Sequence, residues 1–245
     1  MAGNTVTNNG VTTINGSLGG ASFTGAGSFN QTNGTQISPI SAQNQTDFTR
    51  AFNGLAGMTP TSNLTGLVLG TTAGATTLTP GVYKFVSTAQ LTGTLVLDAQ
   101  GQANAVWVFQ IGTTLTTAAS AAVTLINPAA NSTENYGVFW RMGSTTTVGA
   151  DTTLLGNFLG GTTFSFGSGA TITAGRALTG TDTVSLAGNT INYLGAGSGY
   201  SGGLAYSGTG STLMAIPEPS TYALLAGSMA LVAVVIRRRH SRSEQ

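Results

Sequence analysis

The sequence contains no cysteine, a single histidine and only 6% charged residues in 245. Without cysteine it can form neither disulfides nor thiolate metal sites, which leaves the cellular compartment open. The one histidine, His240, follows the apolar run near the C-terminus, so the body of the chain has none to complete a Ser–His–Asp triad. Four of the eight basic residues, Arg237, Arg238, Arg239 and Arg242, crowd the C-terminal end. Before Pro217 there remain Arg50, Lys84, Arg141 and Arg176 against Asp47, Asp98, Glu134, Asp151 and Asp182, a balance of −1. No basic stripe exists there to neutralise phosphates, and nucleic acid is excluded as a partner. Asp98, Asp151 and Asp182 are spread along the chain without the paired carboxylates that sugar cleavage needs, so the reading is of a protein that is not an enzyme. The glycine pairs at 19–20, 160–161 and 202–203 lack the following aspartate of repeat calcium sites; no metal or cofactor is implied.

Uncharged polar residues fill the space that charge leaves, since a typical domain is about 25% charged. Threonine, serine and asparagine must cover the surface, while the 40% hydrophobic fraction suffices for a core. Glycine, at 36 residues, and β-branched side chains favour strands and tight corners. One helix is predicted at about 41–57, where Phe48, Ala51, Phe52 and Leu55 fall at helical spacing before Gly57 and Pro60. "AVWVFQIG" (105–112) and "YGVFWRMG" (136–143) read as heavily buried strands, with Trp107 and Trp140 in the core rather than on a sugar platform. Arg176 reads as a corner arginine pairing with carbonyls or Asp151.

Short strands then follow quickly, and related segments recur 18 residues apart from Thr145 to Thr163 and 20 apart from Thr163 to Thr183. That spacing accommodates three short strands and three corners, one coil of a three-sided β-solenoid. Stacked, Thr114 and Thr116, Thr145 and Thr147, Thr163 and Ser165, and Thr183 and Ser185 become four outward pairs alternating with inward side chains. Pairs spaced about 6.6 Å along a strand and about 4.8 Å between coils make a flat grid of methyls and hydroxyls. Such a grid suits organised water better than a charged ligand. From the residues alone, it is equally the ordinary outer surface of a soluble solenoid, and both readings stay open.

The C-terminus has a different character. Pro217, Glu218 and Pro219 precede an uncharged run of 17 residues, Ser220 to Ile236, and then a basic tail at 237–242. A run of that length lies at the lower limit of roughly 17–25 residues for a membrane span, with arginines on the cytoplasmic side. The segment 216–245 resembles the PEP-CTERM sorting tail of Gram-negative bacteria. That resemblance implies export to the cell surface or medium, and a membrane and an exosortase-type protease as partners. "MAGNTVTNNG" has neither a basic n-region nor an apolar h-region, so an exported protein is expected to begin upstream of this chain. Residues 195–215, rich in glycine and serine, read as a linker between tail and body.

The body, residues 1–194, resembles the microbial ice-binding family. The phrases that carry the likeness are "TVTNNGVTTINGSLG", "LTPGVYKF", "LTGTLVLDAQGQANAVWVFQIGTTLTTA", "GVFWRMGS", "GATITAGRAL" and "VSLAGNTI", in family order. The resemblance implies a mainly β, right-handed solenoid with one long helix alongside and coils stacked out of chain order. It implies ice as the ligand of the hydroxyl face and a monomeric body. Family ice faces often carry Thr-Ala/Gly-X-Thr/Asn; here the matching places read Thr-Thr-Phe-Ser (162–165) and Asp-Thr-Val-Ser (182–185). Asp182 departs from the pattern, and its charge is expected to weaken adsorption. The alternative that the tail keeps open is a surface adhesin or biofilm-matrix protein without ice activity.

Overall fold

The computed structural model describes residues 1–129, 136–193, 204–206 and 213–215. The expected Pro217–Glu218–Pro219 motif, apolar run and basic tail lie outside the described residues. Among the described residues, no helix is long and apolar enough to cross a membrane.

The body is a three-walled stack of coils in which all strand pairs are parallel. One wall joins Ser22–Thr24, Thr5–Asn8, Val184–Leu186, Phe164–Phe166, Thr146–Val148, Leu115–Thr117, Ala89–Leu91 and Val68–Leu69, in that spatial order. A second wall runs from Thr77–Leu78 through Thr94–Asp98 and Ala122–Ile126 to Thr190–Asn192, Val11–Asn15 and Ser28–Thr32. The third contains Ser62–Asn63, Gly81–Phe85, Val106–Ile111 and Gly137–Met142. Two long strands, Thr153–Gly160 and Thr171–Thr179, bend through the corner between the second and third walls. The bend falls at Gly156 (φ +104°) and Gly175 (φ +143°), where a Cβ on Gly175 would collide with the Gly156 carbonyl.

Coils do not follow chain order. The first coil, with Thr5–Asn8 and Val11–Asn15, is inserted between the last, with Val184–Leu186 and Thr190–Asn192, and the second, with Ser22–Thr24 and Ser28–Thr32. The fold is therefore the mainly β, discontinuous solenoid with a helix that the sequence and its resemblance led one to expect.

The helix spans Ala42–Gly57, and Ser41 caps it by accepting the Asn44 amide at 3.1 Å. Its Phe48 and Leu55 pack on Val82, Val106, Val108 and Leu159. This explains why Val106–Ile111 is apolar without alternation: Trp107, Phe109 and Ile111 face the solenoid core while Val106 and Val108 lie under the helix. Gln110 takes the remaining outward place and donates to the Leu55 and Met58 carbonyls, both at 2.7 Å, at the helix C-terminus. Within the stretch read as a linker, Leu204–Tyr206 and Leu213–Ala215 pair antiparallel, and Leu204 and Leu213 pack against the same helix-side cluster.

Inside the solenoid, in-register aromatics form a column. Phe109 stacks on Trp140 at 3.8 Å and Trp140 on Phe158 at 5.4 Å, extended by Tyr83 at one end and by Phe164 at the other. Both tryptophans are fully buried and donate their indole N–H to carbonyls, Leu78 and Leu155, at 3.0 Å. Arg176 stands at a corner as expected, but Asp151 is not its partner. The arginine lies just past the Gly175 bend on the helix-side wall, with its guanidinium 4.2 Å from the Tyr193 ring centroid. Asp151 sits at another corner, before Thr153–Gly160, so the two residues are not neighbours in the coil.

One inward position is polar without compensation: the Thr146 hydroxyl is buried and has no hydrogen-bond partner. Thr146→Val replaces that hydroxyl with a methyl of similar shape. It is expected to raise unfolding free energy by about 1 kcal/mol in chemical denaturation.

Candidate functional site

The eight-stranded wall points every second side chain outward. Its inward register, Val6, Val184, Phe164, Thr146, Leu115 and Ala89, is wholly buried. One residue further along, Thr7, Ser185, Ser165, Thr147, Thr116 and Gln90 face out as a rank, and Thr24 extends it beyond Thr7. One residue before the inward set lies the companion rank. The backbone ladder Ala89 N to Thr114 O, Leu115 N to Thr145 O, Thr146 N to Thr163 O and Phe164 N to Thr183 O carries it coil by coil. Thr5 and Ser22 continue that rank past Thr183.

All eight hydroxyl residues picked from the sequence are thus on one wall: Thr114, Thr145, Thr163 and Thr183 in one rank, Thr116, Thr147, Ser165 and Ser185 in the other. Thr116 and Thr147 are exposed and the other six half-buried. The sequence reading missed Thr5, Thr7, Ser22 and Thr24, which extend the grid at one end, and Thr88 and Gln90, which extend it at the other. The signal was present, since "TVTN" and "SFT" alternate as the later strands do. What spacing could not supply is their neighbour, because Thr7 pairs with Ser185 from the opposite end of the domain.

Several of these hydroxyls are held laterally. Thr5 Oγ1 lies 2.9 Å from Ser22 Oγ, Thr7 Oγ1 3.1 Å from Thr24 Oγ1, and Thr145 Oγ1 3.3 Å from Thr162 Oγ1. Thr163 donates to Asp182 Oδ2 at 3.0 Å. No member of either rank is charged, and Asp182 stands at the rim, one residue before Thr183. Among the described residues, no group of three or more His, Asp or Glu side chains comes together.

Beneath one edge of the grid runs a buried polar spine, at the corner with the second wall. Thr117 Oγ1 lies 3.2 Å from Thr152 Oγ1 and accepts the Gly149 amide; Thr152 bonds the Ala118 and Gly149 carbonyls. Further along, Asn189 donates to the Gly167 and Ala170 carbonyls and accepts from the Ala187 amide. Thr12 accepts the Asn189 amide and donates to Asn8, which bonds Gly10 and Ser28. Turn amides and carbonyls that point inward are thereby satisfied, and each corner is locked to the next.

Residues 1–192 match the ice-binding-like family, and residues 215–239 the PEP-CTERM protein-sorting motif, which contains Pro217, Glu218 and Pro219. An ice-binding protein of Nostoc sp. (strain HG1) is 43% identical over 182 residues, covering 73% of this chain and 64% of the relative. Ice-binding protein 1 of Shewanella frigidimarina (strain NCIMB 400) is 36% identical over 151 residues, 61% of this chain and 16% of that protein. The chain therefore spans less than two thirds of the length of these relatives. The crystal structure of an ice-binding protein from the Antarctic ascomycete Antarctomyces psychrotrophicus superimposes with TM-score 0.68. It is 34% identical and covers 78% of this chain and 92% of its own.

Removal of the Asn189 side chain leaves the Ala187 amide without its acceptor and the Gly167 and Ala170 carbonyls with a single backbone donor each, Ala170 N–H and Thr190 N–H. Asn189→Ala is expected to cost about 3 kcal/mol of stability. Faster amide exchange at Ala187 than at Val108 under native conditions would mark the loss as local to the corner.

Proposed function

The chain belongs to the ice-binding-like family, and we propose that its solenoid body adsorbs to ice through the two-rank hydroxyl wall. The observation that carries this reading is the register: uncharged Thr and Ser positions align in two ranks across successive coils without interruption by a charged side chain. Hydroxyls anchor waters at the spacing of the coils while the threonine methyls limit competing hydration, so a lattice-like water layer forms on the protein and merges with the crystal. Each contact is weak. Many made together, on a surface that orders little further on binding, give adsorption that does not readily reverse. β-branched side chains on a rigid wall have little rotamer freedom left to lose.

The C-terminal segment supports a location for this activity. The sorting motif at 215–239 fits export to the surface of a Gram-negative cell, insertion of Ser220–Ile236 in the membrane, and processing by an exosortase-type protease. Held at the cell surface, an ice-adsorbing body attaches the cell to ice; released, it inhibits ice growth or recrystallisation. The sorting motif also favours a second reading, an adhesin that binds a surface other than ice.

Thermal hysteresis and recrystallisation inhibition of the chain beside its Thr145→Tyr, Thr163→Tyr variant separate these readings. The phenols project from the centre of the wall and break its flatness. Activity should fall to less than roughly a tenth in the variant while circular dichroism stays that of the parent. Equal activity in both moves the ice contact to another wall. Activity in neither, from a folded protein, favours the adhesin.

A further inference from the structure

Asp182 is the charged group that the wall holds at its rim, and its surroundings fix it completely. Its backbone carbonyl accepts from the Thr179 hydroxyl at 2.9 Å and from the Asn4 amide at 3.2 Å, which ties it to the end of Thr171–Thr179 and to the start of the first coil. Its carboxylate accepts the Thr183 amide on Oδ1 at 2.8 Å and the Thr163 hydroxyl on Oδ2 at 3.0 Å. Thr163 is the middle member of its rank, with Thr183, Thr5 and Ser22 on one side and Thr145, Thr114 and Thr88 on the other.

An ionised carboxylate can only accept, so the Thr163 hydroxyl must donate inward to it. At Thr5–Ser22, Thr7–Thr24 and Thr145–Thr162, by contrast, either oxygen can be the donor, and the proton direction is free to follow the water outside. Charge-assisted bonds of this kind are roughly twice as strong as neutral ones. At Thr163 alone in this set, therefore, the protein dictates the polarity: the oxygen can only accept from water at the surface, and its rotamer is pinned.

We propose that Asp182 is a positioning residue that presets the central hydroxyl of the wall as a fixed acceptor for the first ice-like water. This rests on the ice-adsorbing function proposed above. The charge that breaks the family pattern at residue 182 then strengthens adsorption at its own coil, because it is spent on a hydroxyl and an amide of the protein.

The test uses the full chain in mild detergent with threonine methyls isotopically labelled, as parent, Asp182→Ala, Asp182→Asn, Thr163→Val and the Asp182→Ala, Thr163→Val double variant. Adsorption to a growing ice hemisphere and the Thr163 rotamer distribution by NMR are read together. Asp182→Ala should release Thr163 into rotamer averaging and lower adsorption about threefold. Asp182→Asn, which keeps an acceptor oxygen, should retain the rotamer and most of the adsorption. The double variant should lose no more than either single change, because both remove one shared bond. An unaveraged Thr163 in Asp182→Ala overturns the proposal. So does averaging with undiminished adsorption, and so do additive losses. Should Asp182→Ala unfold, the outcome rests on Thr163→Val, which must reproduce the threefold loss. Absence of adsorption by the parent itself defeats the ice-adsorbing function, while the rotamer data still report on whether Asp182 holds Thr163.

Discussion

The parallel hydrogen-bond ladder between coils sets everything else in this protein. It stacks equivalent residues about 4.8 Å apart, so whatever a coil presents at one position is repeated by its neighbours along the same line. Phe109, Trp140 and Phe158 become a column inside, and Thr116, Thr147 and Ser165 become a rank outside, through the same registers. An irregular loop scaffold could carry the same residues without aligning any of them. Because repetition is a property of the backbone, the surface needs no disulfide to be rigid, which is compatible with a chain that has no cysteine.

Alignment along a wall does not by itself hold one wall at a fixed angle to the next. Two devices do so here, and they differ in chemistry. At the corner beside the hydroxyl wall, Thr117, Thr152, Asn189, Thr12 and Asn8 satisfy the inward-pointing turn groups with side-chain bonds. At the opposite wall the helix covers the apolar outer face of Val106–Ile111, and Gln110 fastens its end. The hydroxyl wall is left as the broad surface free of both corner polar groups and helix.

Much of this was legible in the sequence, and the limits have a physical origin. Helical spacing of Phe48, Phe52 and Leu55 revealed the helix, because local periodicity reports which face is buried. The unbroken apolar run at 105–112 reported a strand covered on both sides. Hydroxyl pairs at coil-length spacing reported the wall, since neighbouring coils are close in sequence there. Thr5 and Thr7 carried the same alternation but belong beside Thr183 and Ser185, and no local pattern encodes a partner so far away. The partner of Arg176 was misread, because no local pattern tells that the Tyr193 ring, and not Asp151, lies beside that corner. Alternation placed Thr146 inward between Thr145 and Thr147, but no sequence pattern told that its buried hydroxyl would find no partner.

The insertion of the first coil between the last and the second has a consequence for how the protein comes into being. Thr5–Asn8 is synthesised long before one of its two neighbours, Val184–Leu186. Until then one edge of the N-terminal coils stays unpaired and the two ends of the chain must still find each other, a contact of very large sequence separation that slows folding. The seam between Thr5–Asn8 and Val184–Leu186, two strands in from one end of the hydroxyl wall, is therefore the last part of it to be assembled. A chain interrupted in synthesis or clipped before Val184 would lack the strand that joins Thr5–Asn8 to Phe164–Phe166, with two open edges where a single surface should be.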